Sequence, residues 1–390
     1  MSKLSFKQRF DEGLHTFGGR LQTAEGRGLI VKGCFGLLRR LLRWTVFAFA
    51  LALLTLGVLM RYVGEQNVFF AFSSYLPPLI WFLPLMGLLP LCVLFLEWKG
   101  LIVGLIAAVA TAFCFFGHEV RAKPNMAAND GQLVVLTNNR GQHGNYSMKE
   151  FKEAVKPDIM VFQEAGAVSA RYLADPFYSE FKDGKDLGEF ALVSRYPVLS
   201  VEPVTFVDEK GTGQVLAARY VIDFKGTHIA IYNTHMPSPR DALRYHARGS
   251  FLYGLLGVPG TPFAAKRREV QRGWDLRIAM VRSVMDRAAK ETIPTMLVGD
   301  FNVTSLGYCH GLLASTFGDA HETAGSGFGF SFPGATHNPL ALGQPWMRID
   351  YLFFDHQHWQ CTACVTEPDR PSQHRAVAAT FSLVTPAPAR

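Results

Sequence analysis

The chain of 390 residues is long enough for one large domain plus an accessory region. It is 49% hydrophobic and only 18% charged, with the apolar excess concentrated between Trp44 and Gly117, so two different solvents are expected. The net charge of +7 does not read as a nucleic-acid footprint: residues 1–43 hold nine Lys and Arg against three acids, whereas residues 121–390 hold 28 against 26.

In chain order, residues 1–43 form a basic N-terminal arm. Beside an apolar region this reads as a topology signal and a contact for anionic lipid. Three apolar segments follow: "WTVFAFALALLTLGVLM" from Trp44 to Met60, "PPLIWFLPLMGLLPLCVLFLEW" from Pro77 to Trp98, and "LIVGLIAAVATAFCFFG" from Leu101 to Gly117. Each approaches the ~20 residues that span a bilayer. Three in a row argue against buried core helices, and the first starts too late for a simple cleaved signal. The expectation is a membrane domain, 44–117, with three transmembrane helices. The basic arm stays cytoplasmic. The 61–76 loop has only Arg61 and Glu65 as charges, and Lys99 lies in the tight turn between the second and third spans. An odd number of spans then places residues 118–390 on the far side, periplasmic or extracellular, although Arg121 and Lys123 weigh against it.

Residues 118–130 read as a linker. Beyond it the pattern changes to short runs rich in β-branched and aromatic residues: "LVVLTNN", "DIMVFQE", "ALVSRYPV", "VLAARYVIDF", "HIAIYNTH", "TMLVGDFN", "DYLFF" and "AVAATFSL". Residues 267–290 place Val270, Trp274, Ile278, Val281, Met285 and Ala288 at helical spacing. Residues 147–156 form a shorter helical pattern, with Ser147 as N-cap and Glu150 three residues on. Interspersed strands and helices suggest two packed sheets with helices outside. The lone pair Cys361 and Cys364 lacks the second pair of a zinc site; its spacing allows a disulfide or an ordinary strand. Residues 386–390 read as a disordered tail.

Polar residues gather at the strand ends. Asn138 and Asn139 end the first run, Gln163 and Glu164 the second, Asn233 to His235 the fifth, and Asp300 with Asn302 the sixth. Asp350 opens "DYLFF" and His374 precedes "AVAATFSL". In antiparallel sheets, the ends of some strands lie beside the starts of others, so all six groups can share one edge. Strand ends are wet, which explains any one of them. Six sites of Asn, Glu, His and Asp are instead the inventory of a hydrolytic site with a hard cation and imidazoles. Glu164 suits Mg²⁺, an Asp beside a His fixes its tautomer, and amides face reacting oxygens without adding negative charge. Extended residues i and i+2 point the same way, so Asp300 and Asn302 are expected to face one phosphate.

The motifs "VVLTNN", "FQEA", "SRYPV", "NTHMPS", "GDFN", "RIDYLFF" and "SQHRAV", in this order, resemble the endonuclease/exonuclease/phosphatase superfamily over about residues 130–385. The apolar segments ahead of them resemble its bacterial membrane-anchored branch, which implies a bacterial inner or plasma membrane. The resemblance implies an α/β fold, the four-layer DNase I-like sandwich of two mixed sheets flanked by helices, over a catalytic domain at 131–385. It implies Glu164 as metal ligand, with Asn139 supporting metal and phosphate. His235 matches the residue that contacts phosphate or aids the leaving group. Asp300 matches the one that orients or deprotonates water, and Asn302 stabilises the pentavalent phosphorus. His374 is oriented by Asp350, and Asn233 and Ser372 are expected to touch substrate. The implied cofactor is Mg²⁺, with Mn²⁺ as an alternative. Gln373 stands where the family usually has Asp, which favours one ion over two.

The near-neutral charge of residues 121–390 gives little support to a DNA substrate. "KRREVQR" at 266–272 reads as the solvated face of its helix. Two apolar, Gly- and Pro-rich loops, 249–263 and 325–334, either pack on the domain or touch a bilayer, acyl or prenyl chain. The expected substrate is therefore a lipid phosphate, pyrophosphate or phosphodiester, and the expected partner the bilayer. The alternatives are an extracytoplasmic nuclease and a non-catalytic binding protein on the same fold.

Overall fold

The structure is a computed structural model and describes residues 16, 19, 23–122, 124–126, 129, 131–141, 147–240, 243 and 256–384. The tail at 386–390, most of residues 1–22 and residues 249–255 of the first apolar loop lie outside the described residues.

The helices in chain order begin with α1, Ala24–Tyr62, α2, Val68–Ser74, α3, Leu79–Leu94, and α4, Trp98–Ala110. The first helix starts well before Trp44. The stretch "GLLRRLLRW" is made of strong helix formers with no proline to stop it, so part of the basic arm is helical. Among the described residues, two helices are long and apolar enough to cross a membrane, Arg27–Tyr62 and Trp98–Phe115; the count is three if Val68–Ser74 and Leu79–Leu94 make one bent span.

The chain divides into two compact units, Met1–Thr55 with Trp81–Thr111, and Leu56–Ile80 with Ala112–Arg390. In the first unit, Leu42, Val46 and Cys92 are buried together, against Leu88, Phe95 and Leu101. Arg43 donates to both carboxylate oxygens of Glu97, at 2.8 and 2.9 Å, and Arg39 donates to the Leu96 carbonyl at 2.8 Å. Leu51, Met86, Leu94, Ile102 and Ile106 are exposed and apolar.

The second unit is the α/β sandwich. One six-stranded sheet has the order β11-β12-β1-β2-β4-β3 and the other β5-β6-β7-β8-β10-β9. The strands are β1 Gln132–Asn139, β2 Ile159–Gln163, β3 Asp183–Leu187, β4 Phe190–Ser194, β5 Val198–Val207 and β6 Gly213–Phe224. They continue with β7 Thr227–His235, β8 Thr295–Asp300, β9 Gly318–Asp319, β10 Asp350–Phe354, β11 Trp359–Thr366 and β12 Val377–Leu383. Each sheet holds one parallel pair, β1 with β2 and β7 with β8, among antiparallel neighbours. Parallel strands need a crossover connection. Here α5, Lys149–Val155, lies on the first crossover, and α7, Ala264–Ala288, on the second; α6, Ser169–Ala174, follows β2.

Leu133, Val135, Ile159 and Val161 of one sheet bury against Ile229, Ile231, Met296 and Val298 of the other. Outside, α5 packs Phe151 and Val155 on the first sheet, and α7 packs Ile278, Val281 and Val284 on the second. These are the four layers expected. The α7 helix matches the spacing read at 267–290. The shorter helix starts at Lys149 with Met148, not Ser147, at the N-cap position, although the Lys149 N–H donates to the Ser147 hydroxyl at 3.3 Å.

Two expectations change, and one that was left open is decided. Residues 61–76 are not a bare loop. A 3-10 turn at Gly64–Gln66 and α2 bury Val68, Ala71 and Tyr75 against Val270, Trp274, Met347 and Ile349 of the sandwich. Residues 118–130 are not a free linker either, since Glu119 pairs with Gly327 and Met126 is buried in the core. Cys361 and Cys364 are free thiols on β11, on either side of a β-bulge.

Candidate active site

The parallel pair β7-β8 brings two strand ends side by side, and register places His235 opposite Asp300. Antiparallel pairing with β10 places Asp350 opposite Asp300 on the other side. His235, Asp300 and Asp350 therefore form a row across one sheet edge. In the facing sheet, Asn139 is in register with Gln163, and Glu164 follows.

Asn139 ties the two sheets together. Its amide donates to Asp300 Oδ2 at 2.9 Å and to Glu164 Oε1 at 3.3 Å. Its carbonyl oxygen accepts the Gly141 N–H at 2.9 Å. His235 Nε2 lies 3.8 Å from both Glu164 Oε1 and Asp300 Oδ2, and its Nδ1 lies 3.1 Å from Glu189 Oε2. His374 donates from Nδ1 to Asp350 Oδ2 at 3.0 Å, while its Nε2 is 3.8 Å from Asp300 Oδ2. The Asp350 carboxylate thus fixes which imidazole nitrogen faces the centre.

Asn302 reaches the same centre by a different route from the one its spacing suggested. Strand β8 stops at Asp300, and Asn302 has φ +51°. The backbone turns back, so the N–H of Asn302 donates to Asp300 Oδ1 at 2.8 Å and its amide to Asp300 Oδ2 at 3.1 Å and to the Met236 carbonyl at 2.9 Å. Glu164 is likewise left-handed, at φ +49°. Non-glycine residues in this region persist only where the surroundings over-determine them, and they cluster at functional sites.

Charge follows from burial and neighbours. Burial pushes the Asp300 carboxyl up; charged His374 opposes this and Asp350 adds to it. Burial alone would lower the His374 imidazole, but Asp350 and then Asp300 outweigh it and push it up to about 9. His235 is raised in the same way, against its burial, by Glu189 and then Asp300. The site pairs a carboxylate of raised basicity with one imidazole, His374, that stays charged at neutral pH and a second, His235, shifted in the same direction.

The residues present fit a hard divalent cation. The carboxylates of Glu164 and Asp300 converge on the one Asn139 amide, an oxygen-rich donor set of the kind Mg²⁺ takes. Asp300, Asp350 and His374 also bring ligand atoms within 4.8 Å of one another. A second such group, His310, Asp319 and Glu322, already holds cations of its own: Arg348 pairs with Asp319 and Glu322, and Arg61 Nη1 lies 2.6 Å from His310 Nδ1.

Two residues expected at the substrate sit elsewhere. Asn233 is fully buried between the sheets: its amide donates to the Phe162 and Ala191 carbonyls at 2.9 and 3.1 Å, and its oxygen accepts from Gln163 at 2.6 Å. Nothing is left for a ligand, so Asn233 is a strut. Ser372 is buried, with its backbone carbonyl against Gly334. Gln373 is exposed, with its amide beside Gly141. Other groups gave no sign in the sequence. Glu189 lies in a turn, the ring of Phe332 sits 4.6 Å from that of His374, and Tyr75 Oη donates to the Asn302 carbonyl at 2.8 Å.

A family model described as "Endonuclease/Exonuclease/phosphatase family" matches residues 125–374. No curated protein matches the chain. Similar solved structures include the endonuclease/exonuclease/phosphatase from Bacteroides vulgatus, 18% identical over 65% of this chain and 99% of that one, with a TM-score of 0.43. A functionally unknown conserved protein from Enterococcus faecalis V583 is 15% identical over 65% of this chain and 100% of that one, with a TM-score of 0.43. The human Nocturnin catalytic domain, with bound sulfate, is 15% identical over 67% and 100%, with a TM-score of 0.42.

Proposed function

Because the chain belongs to the endonuclease/exonuclease/phosphatase family of metal-dependent phosphoester hydrolases, we propose that it is a membrane-anchored, Mg²⁺-dependent phosphoesterase acting on a lipid-linked phosphoester or pyrophosphate. The observation that carries the chemistry is the row His235, Asp300 and Asp350, faced by Asn139 and Glu164 of the other sheet.

Glu164, supported by Asn139, would hold the ion, which when bound neutralises charge on the phosphoryl oxygens. Asp300 takes a proton from the attacking water; burial suits it to the task by raising its basicity. The bond from water oxygen to phosphorus forms as the bond to the leaving oxygen breaks, and His235 supplies that oxygen with a proton. His374, kept charged by Asp350, faces the negative charge that develops on phosphorus-bound oxygen. The amide of Asn302, turned onto Asp300, is held beside that same charge.

Support for a lipid substrate comes from a cavity of about 300 Å³ that shares Asn302 as a wall. Its other walls include Tyr75, Pro239, Leu243, Phe332, Met347 and Ile349, with Arg240 among the lining. Mostly apolar pockets with a few polar groups suit ligands that carry an apolar body.

Support for three spans comes from parity. Residues 63–75 pack against the sandwich, so the two share one side of the membrane. With Trp98–Phe115 as one crossing, an even number between residues 76 and 118 asks the 16-residue Leu79–Leu94 to cross by itself, without Val68–Ser74 as part of the span. Arg39 and Arg43 meet Leu96 and Glu97 at the opposite ends of these helices. With the basic arm cytoplasmic, the catalytic domain lies outside.

The test is detergent-purified protein assayed with Mg²⁺ on lipid phosphoesters, nucleotides and DNA. Release of phosphate or headgroup from lipid is expected, reduced about 10²–10⁴-fold in Asp300→Ala and His374→Ala. Ready cleavage of DNA with no lipid turnover would overturn the substrate, and turnover that survives Asp300→Ala would overturn the mechanism.

A further inference from the structure

The segment between the first and second apolar helices lies behind the candidate site. Asn302 must hold φ +51° for its amide to reach Asp300. Its backbone carbonyl accepts from Tyr75 Oη at 2.8 Å and from Arg277 Nη2. Arg277 also donates to the Pro237 carbonyl, next to the Met236 carbonyl that accepts from the Asn302 amide.

Tyr75 is itself held at its backbone and at its ring. Its backbone carbonyl accepts the Trp346 indole N–H at 3.1 Å, and its ring lies 5.8 Å from that of Trp274. The helix it ends, α2, is anchored by Val68 and Ala71 against Val270 and Trp274. The same segment grips the far side of the turn. Glu65, fully buried, accepts the Cys309 N–H at 3.1 Å at the start of α8, Tyr308–Ala314, and Gln271 donates to the Glu65 carbonyl at 3.0 Å. Arg61 Nη1 lies 3.3 Å from the Ser305 carbonyl. Residues 300–310, which carry the water-activating Asp300, are therefore clasped from behind by residues 61–75.

We propose that Tyr75 is a positioning residue of the active site: its hydroxyl locks the Asn302 turn through the backbone carbonyl, so residues 61–75 between the candidate spans complete the catalytic machinery. This rests on the phosphoesterase reading for its effect on turnover, but not for its effect on the turn. Remove the hydroxyl and Arg277 remains the only donor described on that carbonyl. The left-handed turn then relaxes, and the Asn302 amide leaves the developing charge. Small misplacements of this kind cost rate far more than they cost binding.

The experiment uses the full chain in detergent with Mg²⁺ and bis(p-nitrophenyl) phosphate as probe. Tyr75→Phe keeps the ring and its packing. It is expected to lower kcat about tenfold, with KM within about twofold and the melting temperature nearly unchanged. Added to Asn302→Ala, it should cost nothing further, because both changes remove one device. Amide hydrogen exchange at residues 301–304 should speed up while β1 stays protected. Wild-type kcat in Tyr75→Phe, a loss that simply adds to that of Asn302→Ala, or unchanged exchange at 301–304 would each overturn the proposal. If the wild type shows no turnover that depends on Asp300, the phosphoesterase reading fails, and the exchange comparison decides the role of Tyr75 alone.

Discussion

Two buried imidazoles respond to pH in opposite directions. His374 is pushed up to about 9: burial would lower it, but Asp350 and Asp300 prevail. His321 is pushed down to about 4, first by burial and then by Arg348, while its Nε2 donates to the Gly327 carbonyl at 3.1 Å. A raised imidazole contributes stability that is complete below its unfolded value of 6.5 and is lost as pH climbs through about 9. A depressed imidazole contributes stability that is complete above 6.5 and is lost as pH falls toward about 4. Each amounts to on the order of 3 kcal/mol if fully expressed. Metal-free protein should therefore be most stable near neutral pH, and His321→Asn should flatten only the acid arm of melting temperature against pH. An unchanged acid arm in that variant would sink the assignment. At this scale Asp300, Glu164, His235 and His374 stand out in the sequence because each ends or precedes a buried apolar run, and the structure brings the four together. The sequence misplaced Asn233, whose amide is consumed between the sheets, and it gave Asn302 the right neighbour by the wrong geometry.

Among the elements, the turn at Gly64–Gln66 tolerates little change. Gly64 has φ +37°, and a Cβ there would lie 2.5 Å from the Tyr308 backbone nitrogen. Left-handed strain alone costs on the order of 1–3 kcal/mol, and the clash is with main chain that cannot swing aside. Gly64→Ala should lower the melting temperature by several degrees and loosen the Glu65 contact with Cys309, whereas Gly188→Ala, with no atom near its Cβ, should pay only the strain of φ +61°. Equal losses in the two variants would show that the close approach to Tyr308 is not what Gly64 serves. Most strands were legible from their apolar runs. Strand β3 was not, since "DGKDL" is polar and half-buried and occupies a sheet edge. The 61–76 segment was hidden because its apolar residues, "VFFAF", sit among longer apolar stretches, and their partners lie hundreds of residues away.

For the whole molecule, the packing of residues 68–75 on the sandwich makes a topology prediction. Single cysteines placed at positions 66 and 357 of a cysteine-free chain should react together with an impermeant reagent in intact cells, and one at position 96 should not. Labelling of 357 without 66 would break the three-span reading. Truncation gives the complementary test. A fragment starting at residue 118 contains the entire family match, 125–374, yet lacks Glu65 and Tyr75 and bares Trp274, Val270 and Met347. It should bind a hydrophobic dye more strongly than the full chain and turn over at least about tenfold more slowly. Full activity in that fragment would show that the spans and their connection serve only as an anchor.

The bond from Tyr75 to Asn302 spans 227 positions of the chain. Residues 61–75 leave the ribosome long before β8 and β10 exist, and their apolar face must wait for those strands. Closing so long a loop is slow, and contacts of this separation form late in folding. The turn at Asn302 is therefore set only when residues 61–75 meet strands made much later. A chain stalled or cut short would carry its apolar helices and much of its sandwich, but no finished site, so an active enzyme would be released only from a completed chain.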